Sequence, residues 1–192
     1  MYLNDGEIVI RDATFDDIGQ LCEWWADGKV MAHAGFPNGL NTDKELLRKK
    51  IAGDSDLTGR RLILERTGKP VGEMSYSMTT DKSAFMNTPN YDRKDQSNKD
   101  SRIAEIGIKI CDFSYQEKGY GTRALRLLIR ALFELGAVKI KLDTNLNNKR
   151  AQHVYEKIGF KKIRINIDAW KDQLGLWQSS VDYEMTKEEF KS

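Results

Sequence analysis

The chain has 192 residues, 40% of them hydrophobic and 31% charged, which is the make-up of one folded domain long enough to bury a core. Its 31 Lys and Arg against 29 Asp and Glu leave a formal net charge of +2, too balanced to point to a nucleic-acid partner or an anionic membrane surface. No apolar run approaches the ~20 residues that span a bilayer.

Met1 to Ile10 carries acids and no apolar core, unlike a secretory signal, and Ile8 to Arg11 reads as a short first strand. Thr14-Phe15-Asp16-Asp17 has the spacing of a capping box, and Ile18, Leu21, Cys22 and Trp25 then fall on one helical face. A loop, Met31 to Asn41, carries His33, Gly35, Phe36, Pro37 and Gly39. A second capping box, Thr42-Asp43-Lys44-Glu45, opens a helix with Leu46, Leu47 and Ile51 on its apolar side. Arg61 to Glu65 and Val71 to Met78 read as strands joined by the turn Thr67-Gly68-Lys69-Pro70. Asp81 to Ser101 is polar enough to be a long, mobile loop. Ile103 to Cys111 is a strand. The helix Gly121 to Leu135 repeats apolar residues at Leu125, Leu128, Ile129, Leu132 and Phe133 and stops at Gly136. Val138 to Leu142 is a strand, Asn148 to Ile158 a helix closed by Gly159, and Phe160 to Ile167 and Val181 to Met185 are two last strands bridged by Asp168 to Gln178. The succession is α+β or α/β with mixed strand directions, in one domain covering residues 1–192.

The two cysteines, Cys22 and Cys111, lie far apart in the chain. They cannot build a disulfide framework or, alone, a zinc site, and are expected as free thiols in a reducing cytoplasm, with no metal. Asp43, Asp54, Asp56 and Asp81 are dispersed, so no acidic cluster for a polycationic ligand stands out, and these acids are expected to be solvated.

The stretch Gln116-Glu117-Lys118-Gly119-Tyr120-Gly121-Thr122 joins a strand to an amphipathic helix. The first N–H groups of a helix lack internal partners, and its dipole places roughly +0.5 charge there. With Gly119 and Gly121 allowing close approach, this is a seat for phosphate or pyrophosphate. A lone G-x-G is weak. Its meaning comes from a second run, Asn148-Lys149-Arg150-Ala151 followed by Tyr155-Glu156-Lys157-Ile158-Gly159-Phe160.

Together these runs resemble the GNAT acetyltransferase superfamily. Gln116-x-x-Gly119-x-Gly121 matches its coenzyme A pyrophosphate loop, and the Asn148 to Phe160 run matches its second signature. The resemblance is strong over about Ile103 to Ile163, weaker on either side, and closest to the branch of ribosomal-protein N-terminal acetyltransferases. It implies a central mixed, twisted sheet flanked by helices. In that sheet two parallel strands, Ile103–Cys111 and Val138–Thr144, splay apart, and the pantetheine arm of acetyl-CoA pairs with the open edge of the first. By resemblance, backbone N–H groups near Ile108 and Ile110 bind the pantetheine or the thioester oxygen. Gln116, Lys118, Gly119, Tyr120, Gly121 and Thr122 form the pyrophosphate loop, and Asn145 and Asn148 are cofactor contacts.

The same resemblance makes Tyr155 the acid for the departing thiolate, since a phenol of pKa ~10 is protonated at neutral pH. Glu105 is the candidate base. A lysine amine must lose a proton at roughly 4–5 kcal/mol at pH 7, an α-amine at only about 1 kcal/mol, so an α-amine asks less of it. Trp25, His33 and Phe36 are the candidate acceptor contacts, one of Trp24 and Trp25 lying in the core and the other near the cleft. The expected activity is direct transfer of acetyl from acetyl-CoA to a primary amine: a protein N-terminus, an aminoglycoside or a polyamine. The expected partners are that amine and, as the superfamily allows, a second copy in a homodimer, with no nucleic acid and no membrane. A non-catalytic acyl-CoA sensor is the alternative. A nucleotide-binding enzyme is disfavoured, because neither G-x-x-x-x-G-K-[ST] nor G-x-G-x-x-G is present.

Overall fold

Eight strands join in one sheet in the order β1-β2-β3-β4-β5-β6-β8-β7. They are β1 (Tyr2–Asn4), β2 (Ile8–Asp12), β3 (Gly59–Arg66), β4 (Lys69–Thr80), β5 (Arg102–Ile110), β6 (Ala137–Asn145), β7 (Lys161–Lys171) and β8 (Trp177–Thr186). The helices are α1 (Ile18–Ala26), α2 (Gly28–Met31), α3 (Lys44–Ala52), α4 (Tyr120–Glu134) and α5 (Lys149–Ile158). The computed structural model describes residues 1–80 and 102–191, so the loop expected over 81–101 lies outside the described residues. Every neighbouring pair is antiparallel except β5 and β6. The mixed sheet and its one parallel pair agree with the sequence.

The sheet buries both faces, and different helices cover them. Ile8, Ile10, Leu62, Leu64 and Met74 form one core with Leu125, Leu128, Ile129 and Leu132 of α4. That apolar stripe at i, i+3, i+4 and i+7 is the one the sequence shows, and each of these four residues is at most 1% exposed. Strand residues alternate faces, so Ile63 between Leu62 and Leu64 points the other way. It packs with Leu21 of α1 and Leu47 and Ile51 of α3 in a second, smaller core.

Local chemistry sets most element ends. Thr67 and Gly68 both have positive φ (48° and 76°), the two-residue hairpin turn that suits strand twist. Gly136 and Gly159, at φ 93° and 116°, end α4 and α5. The Asp17 carboxylate accepts from the Thr14 N–H (2.7 Å) and hydroxyl (3.0 Å), but Phe15–Asp17 is a 3₁₀ turn and α1 starts at Ile18. Asp17 also binds Arg11 through both oxygens, at 2.7 and 2.8 Å.

Several sequence expectations need correction. The cap of α3 is Asp43, one residue later than a Thr42 cap; its carboxylate accepts from the N–H groups of Glu45 and Leu46, and Leu46 turns to solvent at 51% exposure. The stretch expected to be loop from Met31 is preceded by the short α2 and includes a 3₁₀ turn, Ala32–Ala34, too brief to show periodicity. The strand β1 is missing from the sequence reading because three residues carry no alternation worth the name. The β7–β8 bridge is shorter than Asp168 to Gln178: β7 runs on to Lys171 through a register break, with Asp168 at φ 47°. Of the acids expected to be solvated, Asp54 pairs with Arg61 and Asp56 with Arg60, while Asp81 lies outside the described residues.

Candidate active site

The two parallel strands stop pairing halfway. β5 and β6 align from Arg102 opposite Ala137 to Glu105 opposite Lys141 and no further. Beyond that point β6 stays with β8 as far as Asn145, and β5 stays with β4 as far as Ile110. The strands therefore open into a wedge, and Glu105 stands at its apex. Along the wedge β5 has a free edge. The Lys109 carbonyl faces β4, where it lies against Gly72 so closely that a side chain there would collide with it. Ile110 faces the other way, its carbonyl accepting from the Gln116 amide at 2.8 Å. Backbone groups alternate along a strand, so the N–H groups of Ile108 and Ile110 point into the wedge.

One cavity of about 300 Å³ opens on this edge. It is floored by Ile108 and Ile110, walled by Gln116, Gly119, Gly121 and Thr122 at the start of α4, and closed by Asn148, Arg150 and Tyr155 of the α5 region. Gly119 takes a left-handed φ of 83° as the residue before α4. A Cβ on Gly121 would only touch Ile108 and Ile110 at 3.8–3.9 Å, so this glycine leaves the cavity floor open rather than relieving a clash. Gln116 is fixed from two sides, donating to Ile110 and accepting from Arg150 at 2.7 Å. Arg150 also lies 3.5 Å from Glu117, itself in the left-handed region at φ 58°. The sequence reading did not count Arg150 as a site residue, although it stands in the second motif beside Asn148.

A second cavity, about 750 Å³, lies on the opposite face of β5 and is lined by Trp25, Glu73, Ser75, Glu105, Gly107 and Asn145 among others. His33, Ile108 and Lys109 line both cavities, so the two meet at the free edge. Trp25 reaches in from α1 and donates its indole N–H to Glu73 at 2.8 Å; Trp24 and Trp25 are both half-buried and both pack against the smaller core, so neither is the core residue the sequence led one to expect. Glu73 is 9% exposed and also accepts from the Lys109 ammonium at 2.8 Å. This buried carboxylate was missed, because a lone Glu in an apolar strand gives no motif.

Tyr155 is buried at 7% exposure between Phe160 and Tyr183, with ring centroids at 6.1 and 5.7 Å. Burial, helped by Asp143, pushes its hydroxyl up to about 12. Asp143 is itself raised, first by its protein surroundings and then by Asp182 across the strand pair. Glu105 is exposed and borders the second cavity, as well as a third where Asp143, Asp182 and Glu184 gather. The acids of the wedge thus form a group that linear spacing did not show.

Other predicted residues stand elsewhere or do simpler work. The Tyr120 side chain turns into the core, beneath Arg66 and beside Tyr115, leaving only its backbone at the loop. Lys118 and Phe36 line neither of the two cavities. Asn148 caps α5, accepting from Ala151 at 3.2 Å. Asn145 is buried and tied to the Asn147 N–H and the Gln178 side chain. Cys22 and Cys111 are free thiols. Among the described residues no cluster of three or more His, Cys, Asp or Glu is placed to hold a metal, and no helix is long and apolar enough to cross a membrane.

Comparison with known proteins places this geometry. Residues 7–161 match the family model of the acetyltransferase (GNAT) domain. Among solved structures, the chain is similar to a probable acetyltransferase at 23% identity, with a TM-score of 0.76 over 99% of both chains. It is similar to a ribosomal L7/L12 alpha-N-protein acetyltransferase in complex with coenzyme A at 15% identity and TM-score 0.75, over 97% of this chain and 98% of that one. It is also similar to a spermidine N-acetyltransferase from Vibrio cholerae in complex with CoA and spermine, at 20% identity and TM-score 0.75, over 96% and 98%. Identities this low carry the fold alone. The family model spans the wedge, the glycine loop and the whole Asn148 to Phe160 motif, and on that match the chain belongs to the GNAT acetyltransferase family.

Proposed function

We propose that the chain transfers acetyl from acetyl-CoA directly to a primary amine, with no covalent enzyme intermediate. The observation that carries this is the meeting of two cavities at the free edge of β5, one on each side of it, at Ile108 and Lys109. The smaller cavity suits acetyl-CoA. Its N–H-rich loop and Arg150 face anionic groups, the missing side chain of Gly121 leaves room, and the free edge offers backbone donors to a pantetheine amide. Acetyl-CoA supplies the activated acyl group. Ile108 and Ile110 then donate backbone N–H groups to the oxygen that gains charge. Tyr155 holds a proton at the wall of the same cavity and gives it to the leaving sulfur. Glu105, at the apex, takes the proton of the amine, directly or through water.

The larger cavity is the acceptor side, with Trp25, His33 and Glu105 around it. The acceptor is a protein or peptide N-terminus or a small amine such as a polyamine or an aminoglycoside. Structural relatives named for an N-terminal and a polyamine substrate support an amine nucleophile without choosing between them. Free thiols fit a cytoplasmic site of action.

The test is release of free CoA thiol from acetyl-CoA against N-terminal peptides, spermidine and kanamycin, with wild type and Tyr155→Phe side by side. Turnover with one class, cut 10²-fold or more in the variant, is expected. Tight acetyl-CoA binding without turnover across the panel would favour a sensor instead.

A further inference from the structure

Among the described residues, one lysine borders both cavities. Lys109 lies on the acceptor face of β5, and its ammonium donates to Oε1 of Glu73 at 2.8 Å. The same oxygen accepts the Trp25 indole N–H, also at 2.8 Å. Glu73 and Lys109 are cross-strand partners on β4 and β5, so the pair is set by the sheet and not by a mobile loop. Glu73 borders only the acceptor cavity, whereas Lys109 borders both. The ion pair is thus a dipole on the acceptor face of β5, its positive end carried by the residue that borders both cavities. Glu73 is buried in the sheet while the Lys109 side chain keeps 34% of its surface exposed, so the carboxylate is a fixed anchor and the lysine stays open to the cavities.

We propose that Lys109 is a catalytic residue of the acetyl transfer, with Glu73 and Trp25 as its positioning residues; this rests on the acetyltransferase reading above. In the step, the amine nitrogen bonds to the acyl carbon and the carbon–sulfur bond breaks. The amine proton leaves toward Glu105, and the sulfur takes one from Tyr155. A cation at the junction does two things. It disfavours an ammonium ion there, so it lowers the pKa of the bound amine and raises its neutral fraction. It also stabilises the acyl oxygen as charge moves onto it. The other lysines and arginines around these two cavities do not duplicate it: among the described residues Arg60 and Arg61 border only the acceptor cavity, and Lys29 and Arg150 only the donor cavity. The other titratable groups lining the cavity are His33, Asp54, Tyr76, Glu105 and Asp143; Asp54 is paired with Arg61, and Glu105 and Asp143 act in the opposite sense, favouring the ammonium form.

The test compares wild type, Lys109→Met and Lys109→Arg, using whichever of seryl peptide, spermidine or kanamycin the wild type acetylates. Acetyl-CoA affinity is measured separately by calorimetry, so a failure of cofactor binding in the wild type sinks the acetyltransferase reading and not this one. Expected for Lys109→Met is a fall in kcat of tenfold or more, acetyl-CoA Kd within threefold, and an acid limb of the kcat–pH profile moved up by about one pH unit. Lys109→Arg should restore most of the rate and return the limb toward its original position. A loss of rate with the limb unmoved, no rescue by arginine, or activity within twofold of wild type would each overturn the proposal.

Discussion

Tyr155 combines a buried ring with a hydroxyl at a cavity wall. Its raised pKa, about 12, has consequences for both rate and stability. The hydroxyl stays protonated through the usual assay range, so kcat should show no alkaline fall from this group below about pH 11, measurable with a fast amine acceptor. For stability the sign is that of a group raised on folding. The contribution is complete below the ordinary tyrosine value near 10 and is lost as pH climbs from there through 12. Tyr155→Phe removes this loss, so its unfolding free energy from urea titration should drop less than that of wild type between pH 8 and pH 11, by about 1 kcal/mol. Cys111 is another buried group, its thiol also pushed up to about 12, chiefly by burial and then by Glu73. It should stay unlabelled by iodoacetamide in the folded protein at pH 8 and react only in urea, as a packing residue does.

At the scale of elements, the glycine loop rests on two left-handed residues with different side chains. Gly119 at φ 83° has open space around it, so Gly119→Ala fails by backbone strain and not by collision, and should cost about 1 kcal/mol. Glu117 adopts a left-handed φ without being glycine. Glu117→Gly should therefore raise the melting temperature or leave it unchanged, and should tighten CoA binding severalfold by removing a carboxylate beside Arg150. Weaker CoA binding in that variant would mean Glu117 orders Arg150 for the ligand. In α3, losing the carboxylate of Asp43→Ala leaves two N–H groups without their cap and should cost about 1 kcal/mol in chemical denaturation. α4 and α5 were legible because their apolar periodicity and closing glycines agree. α2 and β1 were not, since four and three residues cannot display a period.

Across the whole molecule, the acceptor side is assembled from segments far apart in the chain. The β7–β8 hairpin reaches over to the turn after α2. The Gln173 N–H donates to the Gly35 carbonyl at 2.8 Å, and the Gln173 side chain links Asn38 and Gly39. The Trp170 ring lies against Gly35, which has φ 92° and no room for a Cβ. Gly35→Ala should loosen this clasp and raise the KM for the acceptor while leaving the Kd for acetyl-CoA within threefold, since the glycine loop is on the other side of β5. A matching loss of acetyl-CoA affinity would show that the clasp supports both cavities.

The donor side and the acceptor side differ in how far the sequence reaches. Gln116 to Thr122 and Asn148 to Phe160 are contiguous runs whose spacing carries their chemistry, so the sequence by itself determined the family resemblance, the glycine loop and the helices behind it. Register, which no linear pattern encodes, decided the rest. Where β5 and β6 cease to pair makes Glu105 an apex residue. Alternation from Gly72 and Gln116 turns Ile108 and Ile110 to the free edge. Cross-strand pairing sets Glu73 beside Lys109 across 36 residues of chain, and the packing of α1 on the sheet brings Trp25 to Glu73. Such contacts arise from which strands neighbour one another, and only the folded sheet makes them neighbours.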